Sequence, residues 1–224
     1  CHRPIAPAGD LMAGPRREPL RVAGGRYATI FTVTLLVPGP KVAGDGEAPT
    51  VASTCAAQHD HASPVGFVAG KPRQSSSVVL TNWAGKRVAL VADEDPNAIV
   101  AVDVDAEREI ARTELGARPG ELMMLEDGRV VVALRDSSKL AVLEPGADPS
   151  APLETRCAVA AAPEPIALAP TPDEGRLLVT SGWGHKLATY RLEDNGSVAL
   201  HGAVDLAREP RTVVISSDGT KAYI

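Results

Sequence analysis

Aromatic side chains are scarce: Phe, Trp and Tyr make up 3% of 224 residues. A core must therefore come from Val, Leu, Ile and Ala, and that β-branched weighting favours strands. Clustered positive charge is missing too. The net charge is −5 and no run of Lys and Arg stands out, which argues against nucleic acid as a partner. Cysteine is limited to Cys1, Cys55 and Cys157, too few and too scattered for a disulfide scaffold. No C-x-x-C-H motif occurs, so these residues attach no c-type haem. A phosphate-binding loop, an H-E-x-x-H pair and any legible Ser-His-Asp or Cys-His arrangement are also missing. Catalysis has no positive support in the residues present, and neither a cofactor nor a resident metal is expected. Apolar content of 44% with 23% charge is ordinary for a folded domain.

The first 44 residues read as a segment of their own. Met12 is followed by Arg16, Arg17, Arg21 and Arg26, then by the uncharged run Tyr27 to Val37, a Pro-Gly-Pro break and the small residues Val42-Ala43-Gly44. A basic start, an apolar core and a small-residue site make a secretory signal pattern. The run is too short to span a bilayer comfortably, so no membrane span is expected in the mature chain. A strand is the alternative for this run, given its Thr and Val. Lipid attachment at Cys1 or Cys55 is the competing route to the cell envelope, but the apolar run lies downstream of Cys1, and Ala52-Ser53-Thr54 is a poor lipidation box. Residues 45–64 read as a polar linker. Within it, Cys55, His59, Asp60 and His61 have a C-x3-H-x-H spacing without the second pair that gives zinc motifs their specificity. The sequence starts at Cys1 rather than Met and stops one strand into a repeat. A longer reading frame is expected.

From residue 65 onward the chain repeats. Pro72, Pro119, Pro165 and Pro210 recur with Gly85, Gly128, Gly175 and Gly219, at spacings of 43 to 47 residues. Each period holds apolar runs separated by turn signals, enough for four short strands. Four antiparallel strands in such a period make one blade of a β-propeller. The expected fold is therefore all-β, an incomplete array of about three and a half blades: residues 65–116, 117–162, 163–208 and the start of another at 209–224. Asp127-Gly128 and Asp218-Gly219 supply the positive φ of tight hairpins, and Asp173-Glu174-Gly175 does so with one extra residue. RVVVAL and RLLVTS are apolar throughout, as strands between neighbouring blades should be. AIVAVDVD and KLATYRLE alternate more, as outer strands would. An array short of closure is expected to expose apolar strand edges and to associate through them.

The pattern P-x-x-(apolar)-x-x-x-D-G, a V-A strand, then N-x-(apolar)-x-V-D resembles the YVTN-type β-propeller repeat. RVALVADEDPNAIVAVDVD fits it best, with Asn97 and Asp103. The later repeats place Ser138 and His185 where Asn97 sits. The resemblance covers Lys71 to Ile224, and implies an extracytoplasmic propeller. Some members of that family are sensor or scaffold domains, and others are joined to c-type cytochrome modules similar to di-haem peroxidases.

Propellers bind ligands where one loop from each blade reaches a shared mouth, and function on rigid scaffolds concentrates in loops. The expected ring is Asp95, Arg135, Trp183, His185 and Arg211, from the loops between second and third strands and from the inter-blade connections. Arg118, Glu164 and Glu209 lie on those connections. His185 could act as a ligand or acid–base group, or simply occupy a left-handed turn position. Asp93, Glu94 and Asp95 could hold calcium or form a solvated turn. Arg118 and Arg211 flank equivalent prolines and could clamp an anion. The favoured function is non-catalytic binding or scaffolding outside the cytoplasm, in the periplasm or beyond, with a protein, peptide or cell-envelope component as partner. The alternatives are the propeller part of a redox protein with a cytochrome domain after Ile224, and a metal-dependent propeller hydrolase or lactonase.

Overall fold

The computed structural model describes residues 75–193 and 197–224, and the backbone of two short strands, β1 (Thr32–Thr34) and β2 (Thr54–Cys55). Apart from those two strands, the expected signal segment Met12–Gly44, the linker and the His59-Asp60-His61 cluster lie outside the described residues. Every regular element among the described residues is a strand.

Three antiparallel sheets follow one another along the chain. The first is β3 (Val78–Trp83), β4 (Lys86–Asp93), β5 (Ala98–Asp103) and β6 (Arg108–Glu114). The second is β7 (Pro119–Met124), β8 (Val130–Leu134), β9 (Lys139–Glu144) and β10 (Glu154–Ala160). The third is β11 (Pro165–Pro170), β12 (Arg176–Ser181), β13 (Lys186–Leu192) and β14 (Val198–Asp205), with β2 added beside β14. Strand order within each sheet is sequence order, the up-and-down path of a blade. β15 (Val214–Ile215) and β16 (Lys221–Tyr223) open a fourth sheet, completed by β1 against β16. Thr32–Thr34, inside the run read as an export signal, is thus a strand here.

Blades pack face to face through branched aliphatic side chains, because each strand buries alternate residues on opposite neighbours. Trp83, Val88, Leu90, Ile99 and Ala101 of the first sheet meet Leu122, Met124, Val130 and Val132 of the second. The other face of the second sheet, with Met123, Val131, Ala133, Leu140 and Val142, meets Leu168, Leu177, Val179 and Tyr190 of the third. All of β8 is buried, as RVVVAL led one to expect. AIVAVD departs from expectation. It is an internal third strand buried along nearly its whole length, because β6 lies outside it.

The hairpins also refine the sequence reading. Gly85, Gly128 and Gly219 have φ of 77°, 90° and 70°, but in the third blade Glu174, not Gly175, takes the left-handed position at φ 50°. There the extra residue moves the left-handed site forward by one. The Glu174 carboxylate accepts the N–H of Glu126 in the second blade at 2.9 Å, a bond across the seam.

Candidate functional site at the loop rim

Asn97, Ser138 and His185 occupy equivalent turns between second and third strands, with φ of 55°, 53° and 48°. Such turns need positive φ, which Asn tolerates best among residues with a side chain. His185 is thus accounted for by turn conformation. Its side chain is exposed, and its backbone N–H donates to Gly182 O at 3.0 Å.

The turn of the third blade is fastened to the connection that enters the same blade. Gly182 N–H donates to the Glu164 carbonyl at 2.9 Å, and Gly184 N–H to the Pro163 carbonyl at 3.2 Å. Trp183 N–H donates to Glu164 Oε2 at 3.2 Å. A Cβ on Gly182 would stand 2.5 Å from that carboxylate oxygen and 2.8 Å from Ile166 Cδ1, so only glycine lets the turn approach so closely. These bonds fasten the backbone of the turn, on which the Trp183 side chain stands 78% exposed.

Glu164 is the hub of the rim. It is buried, its backbone is left-handed at φ 56°, and its other carboxylate oxygen accepts from Arg135 Nη2 at 2.7 Å. Arg135 reaches it from the second blade. Its Nη1 lies 3.4 Å from Glu94 of the first blade, so one guanidinium links loops of three blades. The Glu164 hydrogen bond, ahead of other influences, raises the Arg135 pKa and keeps the cation charged. Gly120 makes room for the Arg135 stem: a Cβ there would come within 3.0 Å of Arg135 Cγ.

Inside the rim, Ser75 joins the inner strands of the second and third blades. Its N–H donates to the Leu168 carbonyl at 2.8 Å, its Oγ accepts from Leu168 N–H at 2.6 Å, and its hydroxyl donates to Glu121. Burial pushes the Glu121 carboxyl above its ordinary range, against the lowering effect of that hydroxyl.

Of the expected ring, the structure joins Arg135 and Trp183, through Glu164. Asp95 is exposed and bonds within its own turn, its N–H donating to Asp93 Oδ1 at 3.3 Å. Arg211 is exposed and pairs with its neighbour Glu209 at 2.6 Å. Glu164 and Glu94 complete the cluster and were not placed in the expected ring. Glu164 sits where the other blades carry Arg118 and Glu209, so it was noted on its connection but, with no constant chemistry at that position, was left out of the ring. The two close glycines flanking Trp183 were the available hint. Among the described residues no group of three or more His, Cys, Asp and Glu side chains is placed to hold a metal, the Asp93-Glu94-Asp95 turn included.

Solved structures share this architecture. A functionally unknown protein from Desulfotomaculum acetoxidans aligns with a TM-score of 0.55 at 15% identity, over 67% of this chain and 48% of its own. The fold is a β-propeller. A protein from Bacteroides uniformis, described provisionally as a 6-phosphogluconolactonase, aligns at 0.54 and 17% identity over 65% and 45%. Kuenenia stuttgartiensis hydrazine synthase aligns at 0.51 and 14% identity over 79% and 44%. The propeller chain described here spans a little under half the length of these three. At such identities the likeness is one of fold. No family model and no curated protein matches the chain.

Proposed function

We propose that this propeller is a non-catalytic binding or scaffold module of the cell exterior or periplasm, related to the YVTN-type repeats. Its partner is a protein, peptide or cell-envelope component seated on the loop rim between the second and third blades. Trp183 carries the reading. A large indole held 78% exposed on a turn stapled by Glu164 costs little ordering entropy on binding, and such aromatic anchors dominate interface energetics. Arg135, bonded to the same Glu164 carboxylate, adds a partly exposed planar cation to that rim. Cys157 is disulfide-bonded, which supports an oxidising compartment.

Binding needs only the rim. The test is a selection of displayed random peptides on the purified chain, followed by affinity measurement with Trp183→Ala and Arg135→Ala. Trp183→Ala should weaken the selected peptides by about tenfold or more while the melting temperature holds, and Arg135→Ala should weaken them too, with a lower melting temperature because the buried Glu164 carboxylate loses its partner. Peptides bound equally well by both variants would contradict the reading.

A further inference from the structure

The seam between the second and third blades ends, on its outer side, at Cys157. This residue of β10 is half-buried and packs against the cluster that holds Val159, Tyr190 and Val198. It is disulfide-bonded. The chain offers two other cysteines, Cys1 and Cys55, and Cys1 lies outside the described residues.

The register of β2 brings Cys55 to the same place. β2 runs antiparallel along the outer edge of β14, with Cys55 opposite Val198 and Thr54 opposite Ala199. The same strand also lies against β10. Directly paired residues stand on one face of an antiparallel sheet, so Cys55 is on the face of Val198. That face supplies the cluster against which Cys157 packs. Two paired positions make a ladder too short to hold a strand by itself.

We propose that Cys55 and Cys157 form this disulfide, and that it holds β2 across the outer end of the second seam. The link keeps β2 as a fifth strand over the start of the β14 edge. Through β2 it also ties the third blade to the outer strand of the second. Elsewhere this seam is crossed by polar bonds, Arg135 to Glu164 at the rim and Glu126 to Glu174 between hairpins. The disulfide is its covalent closure, and by closing a loop of about 100 residues it restricts the unfolded chain. A dithiol opens it by exchange: one thiolate attacks a sulfur of the Cys55–Cys157 bond, which breaks. The second thiolate then displaces the remaining cysteine from the mixed disulfide. The two protons of the dithiol end on the cysteine sulfurs, and the reductant leaves as its own disulfide.

The test is tryptic mapping of the full 224-residue chain, made in an oxidising compartment and unfolded in N-ethylmaleimide to block free thiols. Trypsin cuts between all three cysteines, so each pairing gives its own joined peptide. Without reductant, the Cys55 and Cys157 peptides should be recovered as one. Cys157 joined to Cys1 or to a second copy of itself, or blocked as a free thiol, would overturn the proposal. Hydrogen exchange tests the hold on β2 separately. After dithiothreitol, exchange at Val198 and Ala199 should rise by about tenfold or more while β12 of the same blade keeps its protection. Unchanged exchange at those two residues would contradict the hold. Cys55→Ser and Cys157→Ser should lower the melting temperature alike, and the double variant no further. Losses that add would show that the two cysteines act apart, and would sink the pairing.

Discussion

Two tryptophans mark two regions that the same repeat builds to opposite ends. Trp83 closes the seam between the first and second blades, fully buried, with its indole N–H donating to the Gly146 carbonyl at 2.8 Å. Trp183 stands on the rim of the third blade, 78% exposed. The seam is apolar along the array, mostly branched aliphatic side chains with Trp83, Met124, Met123 and Tyr190 among them. The rim is not uniform: equivalent turn positions hold Asn97, Ser138 and His185, and connection positions hold Arg118, Glu164 and Glu209. Packing constrains the seam, whereas at the rim the repeat constrains the backbone of each turn and leaves its side chains to vary. Stability should therefore reside in the first region and recognition in the second.

The largest expected effect follows from that division. Trp83→Ala should lose about 3–5 kcal/mol in urea unfolding, since a buried indole leaves a cavity and an unpaired carbonyl. Trp183→Ala should change stability by no more than about 0.5 kcal/mol, as exposed substitutions usually do. Comparable losses at both sites would erase the comparison.

Glu164 sharpens it, being a rim residue that is buried. Glu164→Ala should cost about 1–3 kcal/mol, because it strips Arg135 and the Trp183 N–H of their acceptor. It should also free the Trp183 turn, seen as faster proteolysis of the 182–185 turn. A loss of stability with no change at that turn would place Glu164 in the seam.

Gly128→Val comes next, at about 1 kcal/mol or more, because a β-branched residue resists φ of 90°. Thermal melts would measure it. Placing Val at Gly175, whose hairpin uses Glu174 for the left-handed site, should cost less.

The smallest effect is electrostatic. Hydrogen bonds from the Ser216 hydroxyl and from the N–H and hydroxyl of Thr220 hold Asp218 at about 2, below its ordinary 3.8. The folded state then gains from its ionised form above the ordinary value, and that gain is lost as pH falls toward 2. Glu121 has the opposite sign. Burial raises its pKa, so its contribution favours the folded state at low pH and disappears as pH rises through the raised value. Asp218→Asn should flatten the acid limb of the stability curve slightly, and Glu121→Gln should help at neutral pH and not at acid pH. Reversed signs in the two curves would contradict these assignments.

Much of the fold was legible because it rests on local chemistry. Asp127-Gly128 and Asp218-Gly219 announce hairpins, and VVVAL announces a strand covered on both faces. Gly175 misled, since one inserted residue moved the left-handed position to Glu174. The rim was legible only in part. Trp183 and Arg135 stood out as residue types, but the link through Glu164 joins positions 29 and 19 residues apart, and sequence spacing has no rule for that. Asp95 and Arg211 were grouped with them by loop order alone, and their own bonds are local.

These two tryptophans are the only ones in the chain, so their emission reports each region separately. Acrylamide quenching of Trp83→Phe, where only Trp183 emits, should be strong, with emission near that of indole in water. Trp183→Phe, where only Trp83 emits, should give blue-shifted emission that acrylamide barely reaches. Equal quenching of the two variants, or the reverse order, would contradict both the buried seam and the presented rim.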